Sequence, residues 1–284
     1  MTSRQQANCY TMPIADDQGE NAGMIEKPEF LGPVNATAFQ EPGVAAAYRH
    51  RRSYPPETFT ILAGLIIGEP RAVLDAGCGT GDIARGLAPL VERVDAVDFS
   101  KAMIEVGKTL SGGDDPRLVW TCGRVEDITL QPPYALITAG QSLHWMDWNI
   151  VLPRFRDALT PWGYVALVDV EESRSPWGAG VDELIRRYST IRDFQPYDMV
   201  AAWTRHGLWR AYGKWQTAPV RFEQSVESYI ESFHARSSLT RERLGRERAL
   251  AFDAELRDLV APFAPHGMVA LEVASVVSWG RPGE

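Results

Sequence analysis

Cysteine is scarce in this sequence: three residues in 284, at Cys9, Cys78 and Cys122, with no CxxC pair and no Cys/His ligand spacing. That excludes a disulfide framework and a structural zinc site, so no metal is expected, and a reducing, cytoplasmic setting is the default expectation. Long apolar runs are missing too. The longest, around Ile61 to Ile67, is broken by Gly64 and is far too short to span a bilayer. The N-terminus lacks the basic segment and continuous apolar run of a signal peptide, so no membrane partner is expected. Basic charge is in deficit, with 29 Lys and Arg against 37 Asp and Glu and a formal net charge of −8. An acidic balance argues against a phosphate backbone as main partner, and no nucleic-acid partner is expected. There is no internal repeat and no low-complexity tract.

What is present is a strand–helix alternation from about residue 36 to 170. Ala72 to Ala76 is a short apolar run ending at glycines, as for a strand buried on both faces. Further strands are expected at Arg93–Asp98, Leu118–Cys122, Tyr134–Ala139 and Tyr164–Val170. Helices fall between them at Asp82–Leu90, after an N-cap at Ser100, and at Asn149–Leu159, stopped by Pro161 and Gly163. Such spacing implies βαβ crossovers and a parallel sheet. Beyond Val170 the rhythm changes. Helices are expected at Gly180–Ile191 and Asp198–Trp209, a strand near Trp215–Phe222, helices at Ser225–Ala235 and Thr240–Phe263, and an antiparallel last strand at Met268–Trp279. The expected fold is an α/β, Rossmann-like, seven-stranded, mostly parallel sheet flanked by helices, with a helical cap inserted after the fifth strand. Residues 1–35 read as a flexible arm or lid, residues 36–284 as one catalytic domain, and 174–215 and 225–263 as its cap elements.

Gly77, Gly79 and Gly81 alternate in the loop after the first strand. Glycines there let the backbone turn tightly and approach a ligand. A dinucleotide fold needs G-x-G-x-x-G. Here the third glycine comes one position early, and Asp82 stands in its place, where a carboxylate would repel pyrophosphate. The loop therefore suits a ligand without phosphates. Asp98 ends the second strand about twenty residues on, where an acidic side chain can accept both ribose hydroxyls of an adenosine. After the third strand, Gly123–Asp127 carries two acidic residues, and a carboxylate there can accept from an adenine amine.

The stretches Val73–Gly81, Asp98–Ser100 with Met103, Gln141–Trp145 and Leu159–Tyr164 resemble the class I S-adenosylmethionine-dependent methyltransferases. They are most similar to the small-molecule group called type 11, which includes trans-aconitate-methyltransferase-like enzymes. The resemblance covers residues 45 to 170 and weakens thereafter. It implies S-adenosyl-L-methionine as cofactor and methyl transfer to a small-molecule substrate, O-methylation being favoured. An alternative on the same fold is a cofactor-dependent cyclase or rearrangement enzyme. It further implies that Gly77 and Gly79 wrap the methionine part, with Asp75 holding its amino group through water or directly. Asp98 would bind ribose, Phe99 and Met103 would lie against adenine, and Val125 and Glu126 would address its edge. Ala139 and Gln141 would sit beside the sulfonium, and Arg51 or Tyr54 would meet the cofactor carboxylate.

His144, flanked by Trp145 and Trp148, is the candidate base, since imidazole suits proton removal near neutrality; a packing role is the ordinary alternative. His234 is the runner-up. Trp145, Trp148, Trp177 and Trp203 are candidates to line the acceptor pocket, although aromatics dominate core burial wherever they occur.

Overall fold

The computed structural model describes residues 25–173 and 175–283; most of the expected N-terminal arm, and Cys9, lie outside them. The strands are β1 (Ala72–Ala76), β2 (Arg93–Asp98), β3 (Leu118–Cys122), β4 (Tyr134–Gly140), β5 (Leu159–Glu172), β6 (Trp209–Gln216), β7 (Val220–Ser225) and β8 (Met268–Pro282). The helices are α1 (Pro33–Ala36), α2 (Pro42–Tyr48), α3 (Pro56–Gly64), α4 (Asp82–Leu87), α5 (Lys101–Thr109), α6 (Trp148–Ala158), α7 (Gly178–Tyr188), α8 (Met199–Arg205), α9 (Val226–His234), α10 (Arg241–Leu244) and α11 (Arg246–Val260).

One sheet runs in the order β3-β2-β1-β4-β5-β8-β6, with β7 also paired to β8. Strands β1 to β5 pair in parallel, whereas β8 is antiparallel to β5, β6 and β7. Every residue of β1 is buried, because helices cover both faces of the sheet. Leu62 of α3 with Ile83 and Leu87 of α4 fills one side. Trp148, Val151 and Phe155 of α6, with Trp203 of α8, fill the other. The C-terminal ends of β1, β2 and β4 therefore open onto loops at one rim, where an open α/β sheet binds ligands.

The sheet has one strand more than expected. The segment read as a single strand near Trp215–Phe222 is two, β6 and β7, separated by residues 217–219. Pro219 has no N–H for a ladder, and Thr217 anchors the step by donating its amide to Ser275 O and accepting from Ser275 N, both at 2.9 Å. The fifteen-residue β8 is long enough to pair with both, through Val276–Pro282 and Met268–Val273 respectively. Trp209, Tyr212 and Trp215 thus belong to the sheet and not to a cap. The helix expected over Asp198–Trp209 ends at Arg205, since Gly207 turns at φ 69°. Gly245, at φ 75°, likewise breaks the helix expected over Thr240–Phe263 into α10 and α11. No stop follows α6 at Pro161; the chain enters β5 directly from Leu159.

The helices α7, α9, α10 and α11 share a second core, in which Trp177, Tyr229, Phe233 and Phe252 pack together. Arg243 of α10 ties this layer to the segment before α2, donating to Val34 O at 2.7 Å, to Asn35 Oδ1 at 3.1 Å and to Glu41 Oε1 at 3.3 Å. Among the described residues no helix is long and apolar enough to cross a membrane, and no cluster of three His, Cys, Asp or Glu side chains gathers as metal ligands.

Candidate active site

The bend after β1 is set by backbone bonds to the end of β2. The amides of Gly77 and Cys78 both donate to Val97 O, at 2.8 and 2.9 Å, and the Gly79 amide donates to Asp98 Oδ2 at 2.8 Å. Gly77 and Gly79 have φ of 68° and 56°, a region that costs other L-residues about 1–2 kcal/mol. A Cβ on Gly77 would also stand 2.6 Å from Ser142 Cβ. The second oxygen of Asp98 accepts from the Ser100 amide at 2.8 Å, and Ser100 in turn caps α5 by accepting from Met103 N. Burial raises the pKa of Asp98, against the pull of its two amide donors.

Two adjoining cavities open at this rim. The first, of about 240 Å³, is walled by Gly77, Gly79, Asp98 and Glu126, with Phe99, Met103 and Val125 as its apolar sides. Burial opposes the ionised Glu126, but bonds from the Asp147 amide (3.0 Å) and Arg124 outweigh it and lower its pKa. Pro33, Ala36 and Phe39 close the cavity from the N-terminal side. The second cavity, of about 410 Å³, is walled by Arg51, Tyr54, His144, Asp169, Arg236 and Ser237, among others. The two share Phe39, Tyr48, Gly140, Gln141 and Trp145. Gln141 is held at φ 52°, an uncommon value for a residue with a side chain, and its Oε1 accepts from Arg51. Arg51 also donates to the Tyr48 hydroxyl at 2.9 Å.

Several expected site residues lie elsewhere. Asp75 is 1% exposed and reaches neither cavity. Its Oδ1 accepts from Thr138 Oγ1 at 2.8 Å and its Oδ2 from the Ala84 amide at 3.1 Å, so it ties β1 to β4 and α4 and has no direct line to a ligand amine. Burial pushes its pKa up to about 7, against those two bonds. Ala139 is 2% exposed, and the next residue, Gly140, takes the place on the cavity wall. Of the four tryptophans expected at the acceptor pocket, Trp145 alone lines it. Trp148 gives its indole N–H to Leu143 O and packs edge-on to Trp203 in the sheet core. Trp177 donates to the Tyr229 hydroxyl inside the helical layer. These three are buried because an indole face between helix and sheet removes more apolar area from water than one at a cavity wall. Asp82 lies on the second cavity and pairs with Arg85.

His144 lines the second cavity beside Trp145, with 4.7 Å between ring centroids. Burial, reinforced by Lys27 and Arg51, pushes its pKa down to about 4, so the imidazole is neutral near pH 7. His234 is no site residue. It is buried with Nδ1 2.7 Å from Leu239 O and Nε2 2.7 Å from Asp253 Oδ1. Sequence reasoning missed Phe39, Asp169 and Arg236, which no motif marks; Tyr48 was visible as part of the Tyr48–Pro55 segment.

A protein-family profile described as a methyltransferase domain matches residues 73–163. An uncharacterized methyltransferase of Mycobacterium tuberculosis is 32% identical over 146 residues, 51% of this chain and 57% of that protein. The chain thus spans little more than half the length of the curated relatives it matches first. A trans-aconitate 2-methyltransferase of Streptomyces avermitilis is 28% identical over 217 residues, covering 69% of this chain and 79% of its own. Among solved structures, a candidate type II methyltransferase from Anaeromyxobacter dehalogenans superposes with a TM-score of 0.56 at 24% identity, over 81% of this chain and 96% of its own. The cyclase SpnF superposes at 0.50 with 15% identity, over 93% and 100%. With a glycine bend and a β2 carboxylate at one rim of the sheet, residues 73–163 are similar to a methyltransferase domain, and the fold is similar to that of a solved candidate methyltransferase.

Proposed function

We propose that this protein moves a methyl group from S-adenosylmethionine to an oxygen of a small molecule held in the second cavity. One observation carries the reading: a cavity suited to an adenosyl amino acid and a second, polar cavity meet at Gly140 and Gln141, the C-terminal end of β4. The donor set fits the cofactor. Asp98 offers lone pairs for the ribose hydroxyls, Phe99, Met103 and Val125 form an apolar slot for adenine, and Glu126 accepts at its edge. Gly77 and Gly79 leave room for the methionine part, and Arg51 and Tyr54, on the second cavity's wall beside the shared Gln141, would meet the amino-acid carboxylate where it reaches the junction. When bound, the cofactor supplies a sulfonium methyl; displacement forms a carbon–oxygen bond, breaks the carbon–sulfur bond and leaves its electron pair on sulfur. The chain's part is alignment and exclusion of water. Trp145 and Phe39, in edge-to-face contact at 5.5 Å, wall the junction where the transfer occurs.

The name of one relative supports oxygen as the acceptor atom: a malonyl-[acyl-carrier protein] O-methyltransferase of Halalkalibacterium halodurans is 35% identical over 85 residues, 28% of this chain and 31% of its own. A cytoplasmic location is part of the proposal. Native mass spectrometry of the purified protein tests the cofactor, with S-adenosylmethionine or S-adenosylhomocysteine expected to co-purify. Turnover that yields product without S-adenosylhomocysteine would instead show a non-methylating cyclase or rearrangement enzyme.

A further inference from the structure

The two cavities meet through a passage whose side chains carry no formal charge. The residues common to both are Phe39, Tyr48, Gly140, Gln141 and Trp145. Carboxylates stand to either side, Asp98 and Glu126 on the first cavity and Asp82 and Asp169 on the second, but none is shared. Phe39, Tyr48 and Trp145 are each half-buried, as rings lining an open passage must be. They come from three separate elements: the turn Thr37–Gln40, the end of α2, and the turn Leu143–Trp145. Phe39 and Tyr48 pack on one cluster of Val44, Ala45 and Met103, and Phe39 meets Trp145 edge to face. The rings thus form a continuous collar. Edge-to-face packing engages one face of one ring only, so π surface remains for the cavities that both residues line.

An aromatic face attracts a cation that lies within about 6 Å of its centroid, the indole of Trp most strongly. Not all of the collar is available for this. The Arg51 guanidinium carbon lies 4.9 Å from the Tyr48 centroid, so that ring already serves one cation. Phe39 and Trp145 serve none among the described residues. His144, against Trp145, is neutral near pH 7 and adds no competing charge. The two rings are also firmly mounted. Trp145 N donates to Ser142 O at 2.9 Å and Met146 N to Leu143 O at 3.2 Å. Glu41 N closes the turn of Phe39 on Ala38 O at 3.0 Å, and Arg243 holds the Glu41 carboxylate. We infer that Phe39 and Trp145 read the charge of the methyl donor: their π faces hold a sulfonium at the passage and do not hold the neutral thioether left after transfer. This rests on the methyl-transfer reading above. Transfer leaves an electron pair on sulfur and removes the positive charge, and with it the attraction. A carboxylate in the same place would attract the cation from further away, but it would equally repel a nucleophilic oxygen approaching the same carbon.

The test titrates the full chain calorimetrically with S-adenosylmethionine, S-adenosylhomocysteine and sinefungin, which carries an ammonium group in place of the S-methyl. Trp145→Leu and Phe39→Leu should each weaken S-adenosylmethionine and sinefungin about fivefold or more, leaving S-adenosylhomocysteine within about twofold. That retained affinity also shows that the variants are folded. Trp145→Phe, which keeps a π face, should preserve more of the S-adenosylmethionine affinity than Trp145→Leu does. The inference is overturned if the leucine variants weaken all three ligands alike, the signature of packing alone, or if they weaken none. It is equally overturned if sinefungin follows S-adenosylhomocysteine and not S-adenosylmethionine. Failure of S-adenosylhomocysteine to bind the wild type sinks the methyl-transfer reading and the collar with it. Binding of S-adenosylhomocysteine with an unmoved affinity ratio sinks the collar alone.

Discussion

The Gly79 amide and Asp98 Oδ2 are joined by a 2.8 Å hydrogen bond, so the glycine bend of β1 and the carboxylate of β2 form one rigid unit. Asp98 therefore has two duties, holding the bend and presenting its remaining lone pairs to the first cavity. Asp98→Ala should lower S-adenosylhomocysteine affinity by about a hundredfold or more, since it removes charge-assisted bonds and frees the bend together. Calorimetric titration checks this. Unchanged affinity would overturn the ribose assignment.

Asp75 makes the stability of the fold depend on pH in an unusual direction for a carboxylate. Its pKa rises from the ordinary 3.8 to about 7 in the folded chain, so folding takes up a proton between these values. Its stabilising contribution is full below about pH 3.8 and is lost as the pH climbs through about 7. Asp75→Asn should flatten the corresponding decline in urea-derived stability between pH 5 and 8. An identical slope in the variant would show that Asp75 is ionised throughout that range.

His144 works in the opposite sense. Its pKa is lowered from 6.5 to about 4, so its contribution to stability is full above about pH 6.5 and is lost as the pH falls through about 4. Turnover should accordingly show no imidazole inflection between pH 5.5 and 8. His144→Ala should lower kcat/KM for the acceptor about tenfold, leaving S-adenosylhomocysteine affinity within about twofold. Equal losses in both would make it a packing residue of the whole rim.

Arg243 fastens the helical layer to residues 34–41, part of which covers the first cavity. Arg243→Ala should cost about 1–3 kcal/mol through the bonds it abandons and speed S-adenosylhomocysteine release severalfold. Stopped-flow displacement measures the rate. A variant that is destabilised but releases ligand at the wild-type rate would separate the clamp from the binding site.

The parallel half of the fold was legible in the residues. Ala72–Ala76, Arg93–Asp98 and Leu118–Cys122 are strands with the expected bounds; β1, buried throughout, is a continuous apolar run that ends abruptly at glycines, whereas β3 is a partly open edge strand. Ser100 caps α5 through its hydroxyl, as its place before Lys101 implies. The later half was harder to read. Trp209 to Trp215 reads as part of the aromatic cap, and only its pairing with a strand more than sixty residues away makes it β6. Asp75 looked like a ligand residue because its position follows the motif, yet Thr138 and Ala84, which no local pattern reveals, occupy its oxygens. Arg236 is one arginine of many in the sequence, and only the fold brings it to the second cavity.

Gln141 stands between the two cavities, with a constrained backbone and with its side-chain oxygen held by Arg51. A molecule arriving on either side meets the same partition. If the first occupant shifts it, the free energy of that shift is felt by the second, and thermodynamic reciprocity makes the effect equal in both directions. Donor and acceptor would then report each other's presence through a single amide, and the order in which they load becomes a property of that one residue's position.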